Sequence, residues 1–225
     1  MKFRPYSTLL AVLAILLATR ADGQDNPAGS SSSKNQKAAH AAAKQTKPAP
    51  DTFFEQSSYR NPAFGFRYNV IVGWVNRTQQ MQPDPEPAAG SDSGSAAKVL
   101  LAVFERPPEA TGETVNSAVV IAQEDSSTYP GLKSAADYVG PLTELVTGKG
   151  FKPAGEPYEV TINTKTLVRC DFTRESNKVT MLQSTLAMLQ KGTLVSFTFI
   201  GGSQDEVDAL IGRLSFSPDS TTKLK

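Results

Sequence analysis

Few residues of this chain are suited to chemistry. It holds one histidine, His40, and one cysteine, Cys170. An imidazole works as a base only when held about 3 Å from its partner. His40 lies in a run of alanine, lysine and glutamine with nothing to fix it, so a Ser–His–Asp or Cys–His device is not expected. A zinc site takes three or four Cys, His, Asp or Glu ligands. With one His and one Cys, only a carboxylate site for a hard cation is left. The Asp and Glu residues are scattered rather than grouped as in a calcium-binding loop, and they read as solvated surface charge.

Cys170 alternates with Arg169 and Asp171 and shares a strand face with Val168 and Phe172. A free Cys in that setting behaves as a small hydrophobe; the alternative is a reactive thiol. A lone Cys also makes no intrachain disulfide. Glu124-Asp125, ahead of Ser126-Ser127-Thr128, reads as a strand end. Gly201-Gly202 lacks the rest of a phosphate-cradling motif. Asn76-Arg77-Thr78 matches a glycosylation sequon, a triplet common by chance. Trp74, near Phe64, Phe66 and Tyr68, makes either an exposed aromatic platform or the closed end of a core, and we expect the core. Residue counts do not exclude an acid/base enzyme using two carboxylates, but nothing marks a pair. No catalytic, cofactor-binding or metal-binding residue is assigned, and no cofactor is expected.

The elements that would position any site follow from periodicity. Order is expected from Phe53-Phe54 onward. Phe66, Tyr68 and Val70 alternate with polar residues, a half-buried strand. Val99–Phe104 and Ala118–Ala122 read as buried strands. Leu132, Ala135, Tyr138/Val139, Leu142 and Leu145/Val146 recur at helical steps. Pro141 inside that run predicts a kink or two short helices. Tyr158–Ile162, Val168–Phe172, Val179–Leu189 and Leu194–Ile200 read as strands. The short Asn163-Thr164-Lys165 and Gln190-Lys191-Gly192 turns force antiparallel pairing. Ser203 and Glu206 have capping-box spacing, and Val207, Leu210, Ile211 and Leu214 form one apolar helical stripe. The fold class expected is α+β, an antiparallel meander with helices packed on it.

The flanks differ in kind. Lys2 and Arg4 precede the apolar run Leu9–Ala18, about the length of a signal-peptide core and short of the roughly 20 residues a bilayer needs. We expect a signal peptide over 1–23, cut before Gln24 or after Ala21, with a retained anchor helix as the alternative. Residues 24–52 hold no aromatic or large aliphatic side chain and read as a disordered tether. Residues 53–216 form the domain, with a mobile low-complexity loop at 79–97, and 217–225 are a tail. From Phe53 onward, 16 cations face 19 anions, without the basic stripe that phosphate neutralisation demands. Nucleic acid is not an expected partner.

Tyr59-Arg60-Asn61-Pro62-Ala63-Phe64-Gly65-Phe66-Arg67-Tyr68 followed by Gly73-Trp74 resembles the opening of PsbP-like domains, an aromatic–Gly–Phe strand leading to a Trp. The resemblance covers about 53–216. It implies an α/β/α sandwich around an antiparallel sheet, in a group that includes the extrinsic PsbP subunit of photosystem II, a Ran-binding regulator and DcrB-type envelope proteins. It also implies binding or assembly roles, and it carries over no site residue. The reading is a periplasmic or secreted non-catalytic interaction module. It would bind an unidentified protein partner through a sheet edge or the 79–97 loop. The rival is a small-ligand binder or carboxylate enzyme with a pocket between the sheet and the Tyr138 helix.

Overall fold

Alternating apolar runs joined by tight turns become a sheet here because each strand buries a face. The computed structural model describes residues 52–53, 58–83, 97–110, 112–176 and 179–217. The expected signal peptide, nearly all of the tether, residues 84–96 of the expected loop, most of the tail, and His40 lie outside them.

The strands are β1 (Thr52–Phe53), β2 (Tyr59–Asn61), β3 (Phe66–Tyr68), β4 (Val75–Asn76), β5 (Lys98–Phe104) and β6 (Ala118–Asp125). After helix α1 (Val139–Thr147) come β7 (Lys152–Pro153), β8 (Tyr158–Ile162), β9 (Lys165–Ser176), β10 (Val179–Gln190) and β11 (Thr193–Gly201). Helix α2 (Gln204–Ile211) and β12 (Leu214–Phe216) close the domain. The large sheet runs β1-β4-β5-β6-β11-β10-β9-β7, and β8 also pairs with β9; β12-β3-β2 form a second, small sheet. The pairings are antiparallel, and β8 to β11 form the expected meander. At the β10–β11 turn, Lys191 and Gly192 both take positive φ, the two-residue geometry whose twist matches the flanking strands.

The period of two sends neighbouring residues to opposite faces. Leu167, Leu186, Phe197 and Phe199 pack with Val207 and Leu210 of α2 and with Phe66, Tyr68 and Phe216 of the small sheet. Val168, Cys170 and Phe172 face the other way, against Tyr138, Leu142, Val146 and Phe151. The two helices therefore lie on opposite faces, and the fold is α+β with the expected helix–sheet–helix layering.

Three expectations are corrected. Leu214 is not part of the α2 stripe: the helix ends at Ile211, Gly212 donates to Asp208 O, and Leu214 starts β12, opposite Tyr68. The small sheet itself was not expected. The two ends of the expected 79–97 loop are packed into the domain, and 84–96 lie outside the described residues. Met81 and Ala97 are buried, and Met81 packs with Val99, Ala102 and Phe104. The Gln82 amide donates to Thr78 O and Val99 O at 3.0 and 2.8 Å. Pro141 is accommodated by the second of the two expected outcomes. A 3-10 turn at Ala136–Tyr138 precedes α1, which puts Pro141 in the first helical turn, where a backbone N–H has no intrahelical acceptor.

Candidate functional site

Cys170 lies on the α1 face between Val168 and Phe172, 4% exposed. Burial, with a smaller push from Asp171, raises its thiol to about 11, so the thiolate that reacts is scarce at neutral pH. Native Cys170 is expected to resist alkylation by iodoacetamide and to label once urea unfolds the chain. Cys170→Ala is expected to cost about 1–2 kcal/mol in a urea titration. Rapid native labelling would place this thiol in a site instead.

Glu124 and Asp125 do not form a carboxylate pair. As strand neighbours they diverge: Asp125 caps the 126–128 turn by accepting from Ser127 N at 2.8 Å, and Glu124 is buried on the α1 face. Tyr129 donates to Glu124 Oε2 at 2.7 Å, while Oε1 has no hydrogen-bond partner among the described residues. The edge-on rings of Tyr129 and Tyr138 stand 5.2 Å apart beside it. Burial, partly offset by the Tyr129 hydrogen bond, raises Glu124 from 4.5 to about 6.

That rise has a sign. The folded state holds the Glu124 proton more tightly than the unfolded chain. Its contribution is therefore most favourable below pH 4.5 and is lost as pH climbs through 6, at a cost of about 2 kcal/mol. Glu124→Gln keeps an acceptor for Tyr129 and removes the charge. It is expected to unfold at higher urea than the parent at pH 7.5, with the gain vanishing near pH 4. An equal gain at both pH values would mean that the charge is not the cause.

The other singled-out residues are structural. Gly202 N donates to Glu206 Oε2 at 2.8 Å, and Glu206 N donates to the Ser203 hydroxyl at 3.2 Å. The Ser203 half of the capping box is thus present, while the Glu206 carboxylate accepts from Gly202 N, one residue ahead of the cap, and from the Ser117 hydroxyl. In the sequon, Thr78 N donates to Asn76 Oδ1, and the Thr78 hydroxyl accepts from Ala102 N. Arg77 is buried, 3.2 Å from Glu109. Phe64, Phe66, Tyr68 and Trp74 are buried together, as the core reading expected.

Strand alternation suggested only that Arg169 and Asp171 point away from Cys170. They do, into a buried polar knot under α2. The Arg169 Nε donates to Asp171 Oδ1 at 2.9 Å, and one terminal nitrogen donates to the Ser184 hydroxyl at 3.1 Å. The other terminal nitrogen meets Asp208 of α2 at 2.9 Å. Ser184 in turn donates to Asp171, and Tyr158 Oη approaches Asp171 Oδ2 at 3.3 Å. Two carboxylates meet here, but both are committed to one guanidinium. Among the described residues no group of three or more His, Cys, Asp or Glu could hold a metal, and no helix is long and apolar enough to cross a membrane.

The concave feature of note is a cleft of about 460 Å³ at one end of the large sheet. Lys133–Ala136, Glu159 and Lys165 line it together with Leu167, Val168, Met188 and Leu189. The volume falls in the range of ligand pockets, roughly 300–1,000 Å³.

With the layers and this geometry established, comparison with solved structures finds cyanobacterial PsbP (CyanoP) from Synechocystis sp. PCC 6803. It is 13% identical, with a TM-score of 0.43 over 71% of this chain and 91% of that chain. LpqN, involved in cell envelope biogenesis of Mycobacterium tuberculosis, is 12% identical with a TM-score of 0.35, over 76% of this chain and 87% of that chain. A Pseudomonas aeruginosa protein of unknown function is 18% identical with a TM-score of 0.35, over 56% and 81%. No family model matches the sequence, and no curated protein matches it.

Proposed function

We propose that this chain is an exported, non-catalytic module of the cell envelope or the secreted fraction that binds a protein partner through main chain left open at its large sheet. The observation that carries this is β8. It pairs only with β9, so its outer side has no ladder partner among the described residues. Tyr158 at its start is 46% exposed, and Glu159 and Thr161 are also exposed. An open edge strand bearing an exposed aromatic is a surface suited to β-strand addition. The Lys2–Ala21 segment supports export, as a signal-type leader. Tyr138, Leu142 and Val146 fill the space directly under the Tyr138 helix, so the rival small-ligand reading is confined to the cleft at Lys133–Ala136.

The test is site-specific photocrosslinking in the native host. A benzophenone amino acid replaces Tyr158 on the edge or Asp205 on α2 of the full chain. A discrete protein adduct at 158 and none at 205 is expected. Equal adducts at both positions, or none, would sink the reading.

A further inference from the structure

Glu124 is the only buried acidic side chain among the described residues, 4% exposed. A buried carboxylate is costly unless a cation or several hydrogen bonds satisfy it. Glu124 has one hydrogen bond, from Tyr129 to Oε2, and its Oε1 is buried without one. The titratable groups packed around it are Tyr129 of the turn after β6, Tyr138 of the 3-10 turn before α1, and Cys170 of β9. On β11 its partner is Leu194. Lys98 of β5 pairs with Gln123, one residue along, and so belongs to the opposite face. Asp125 is turned away as the cap of the next turn. Lys133, Asp137 and Glu144, the charged residues of the segment that covers this face, are exposed. No cation among the described residues faces the carboxylate.

A proton removes the difficulty. The neutral carboxyl keeps an acceptor for Tyr129 and turns its other oxygen into a donor. Tyr138 Oη, buried in the same cluster without a hydrogen-bond partner, is an acceptor within that cluster. Burial raises Glu124 to about 6, which puts the exchange between the two forms near neutral pH.

Relief of the charged form is cheapest in the cover, not in the sheet. β6 is held by ladders to β5 and β11 on its two sides. The cover enters through isolated turns: Tyr129 N donates to Ser126 O, Leu132 N to Tyr129 O and Tyr138 N to Ala135 O. Much of the chain from Gly131 to Asp137 is exposed. Sparse hydrogen bonding and exposed backbone mark segments that open before the rest of a fold.

We infer that Glu124 is a proton-operated clasp: its neutral carboxyl holds the Tyr129–Tyr138 segment and the start of α1 against the sheet, and its carboxylate lets that segment lift while the sheet stays folded. This does not rest on the protein-binding reading.

Hydrogen exchange of the full chain, corrected for the intrinsic effect of pH on exchange, tests it. Residues 129–138 should exchange faster than β11 residues 194–200 at every pH, and low urea should leave their rate unchanged, because a local opening exposes little new surface. Their protection should fall about tenfold between pH 4.5 and 7.5, with its midpoint near 6, as a carboxyl raised from 4.5 to about 6 requires. Glu124→Gln should flatten that dependence and keep 129–138 protected at pH 7.5. Where Glu124→Gln fails to fold, the pH and urea dependence of the parent decides alone. The clasp is overturned if 129–138 open only together with β11, if their protection does not change with pH, or if Glu124→Gln keeps the parent's slope.

Discussion

Arg169→Ala is expected to cost about 3 kcal/mol, the lower end of what breaking a buried ion pair costs. The guanidinium is buried, yet Asp171 and Asp208 more than offset the burial and hold it charged, with a raised pKa. Its loss leaves Asp171, with a side chain 22% exposed, facing the buried Ser184 with no cation. That partial exposure is why the lower end of the range applies. The Asp208 arm contributes far less. Its side chain is half exposed, and exposed pairs are worth about 0–1 kcal/mol, so Asp208→Ala should be nearly silent. The triple change Arg169→Met, Asp171→Leu, Ser184→Ala should recover most of the loss, because an apolar knot of similar volume needs no charge balance. Urea midpoints of the three variants decide this. An Arg169→Ala variant within 1 kcal/mol of the parent would show that the knot is solvated in solution.

The knot also shows where reading the sequence stops. Alternation placed Val168, Cys170 and Phe172 on one face and Arg169 and Asp171 on the other, and the structure agrees. Alternation cannot say that the second face is buried as well. That depends on α2 and the small sheet covering it, and those contacts join residues far apart in sequence, such as Leu214↔Tyr68. Leu214 and Phe216 have strand spacing, but Leu214 also continues the three- and four-residue steps of Val207, Leu210 and Ile211, so the helical reading absorbed it. Gly212 was the signal that could have separated them, as a glycine just past the last helical residue.

The β9–β10 ladder ends at Ala187↔Val168, three residues short of both strand ends, and this was illegible for a different reason. Each hairpin carries its own turn, Asn163-Thr164 in one and Lys191-Gly192 in the other. Those turns fix β8 on β9 and β10 on β11. Whether β9 stays on β10 along its whole length is decided by sheet twist and by the side chains wedged at the end, and neither has a local sequence signal.

Phe197→Ala is expected to be the most damaging single truncation described here, at about 4 kcal/mol within the range of 3–5 for core Phe→Ala changes. Phe197 is fully buried on β11, the strand between β6 and β10. Its ring meets Phe66 of β3 edge-on at 5.0 Å and Phe216 of β12 at 6.0 Å. It therefore joins the large sheet to both longer-range partners of the small one. Edge-to-face pairs add about 0.5–1.5 kcal/mol beyond area burial, and a central strand cannot shift to fill the gap without breaking ladders on both sides. A chain of this size loses roughly 2–4 °C per kcal/mol, so Tm should fall by about 10 °C. Phe216→Ala removes one of the two contacts at the domain's last strand, where the backbone has more freedom to relax, and should cost less. The double variant should fall short of the sum, because the two rings share one contact. Calorimetry of the three variants tests the order. Equal losses for Phe197→Ala and Phe216→Ala, adding fully in the double variant, would mean that the small sheet is held by something other than this aromatic junction.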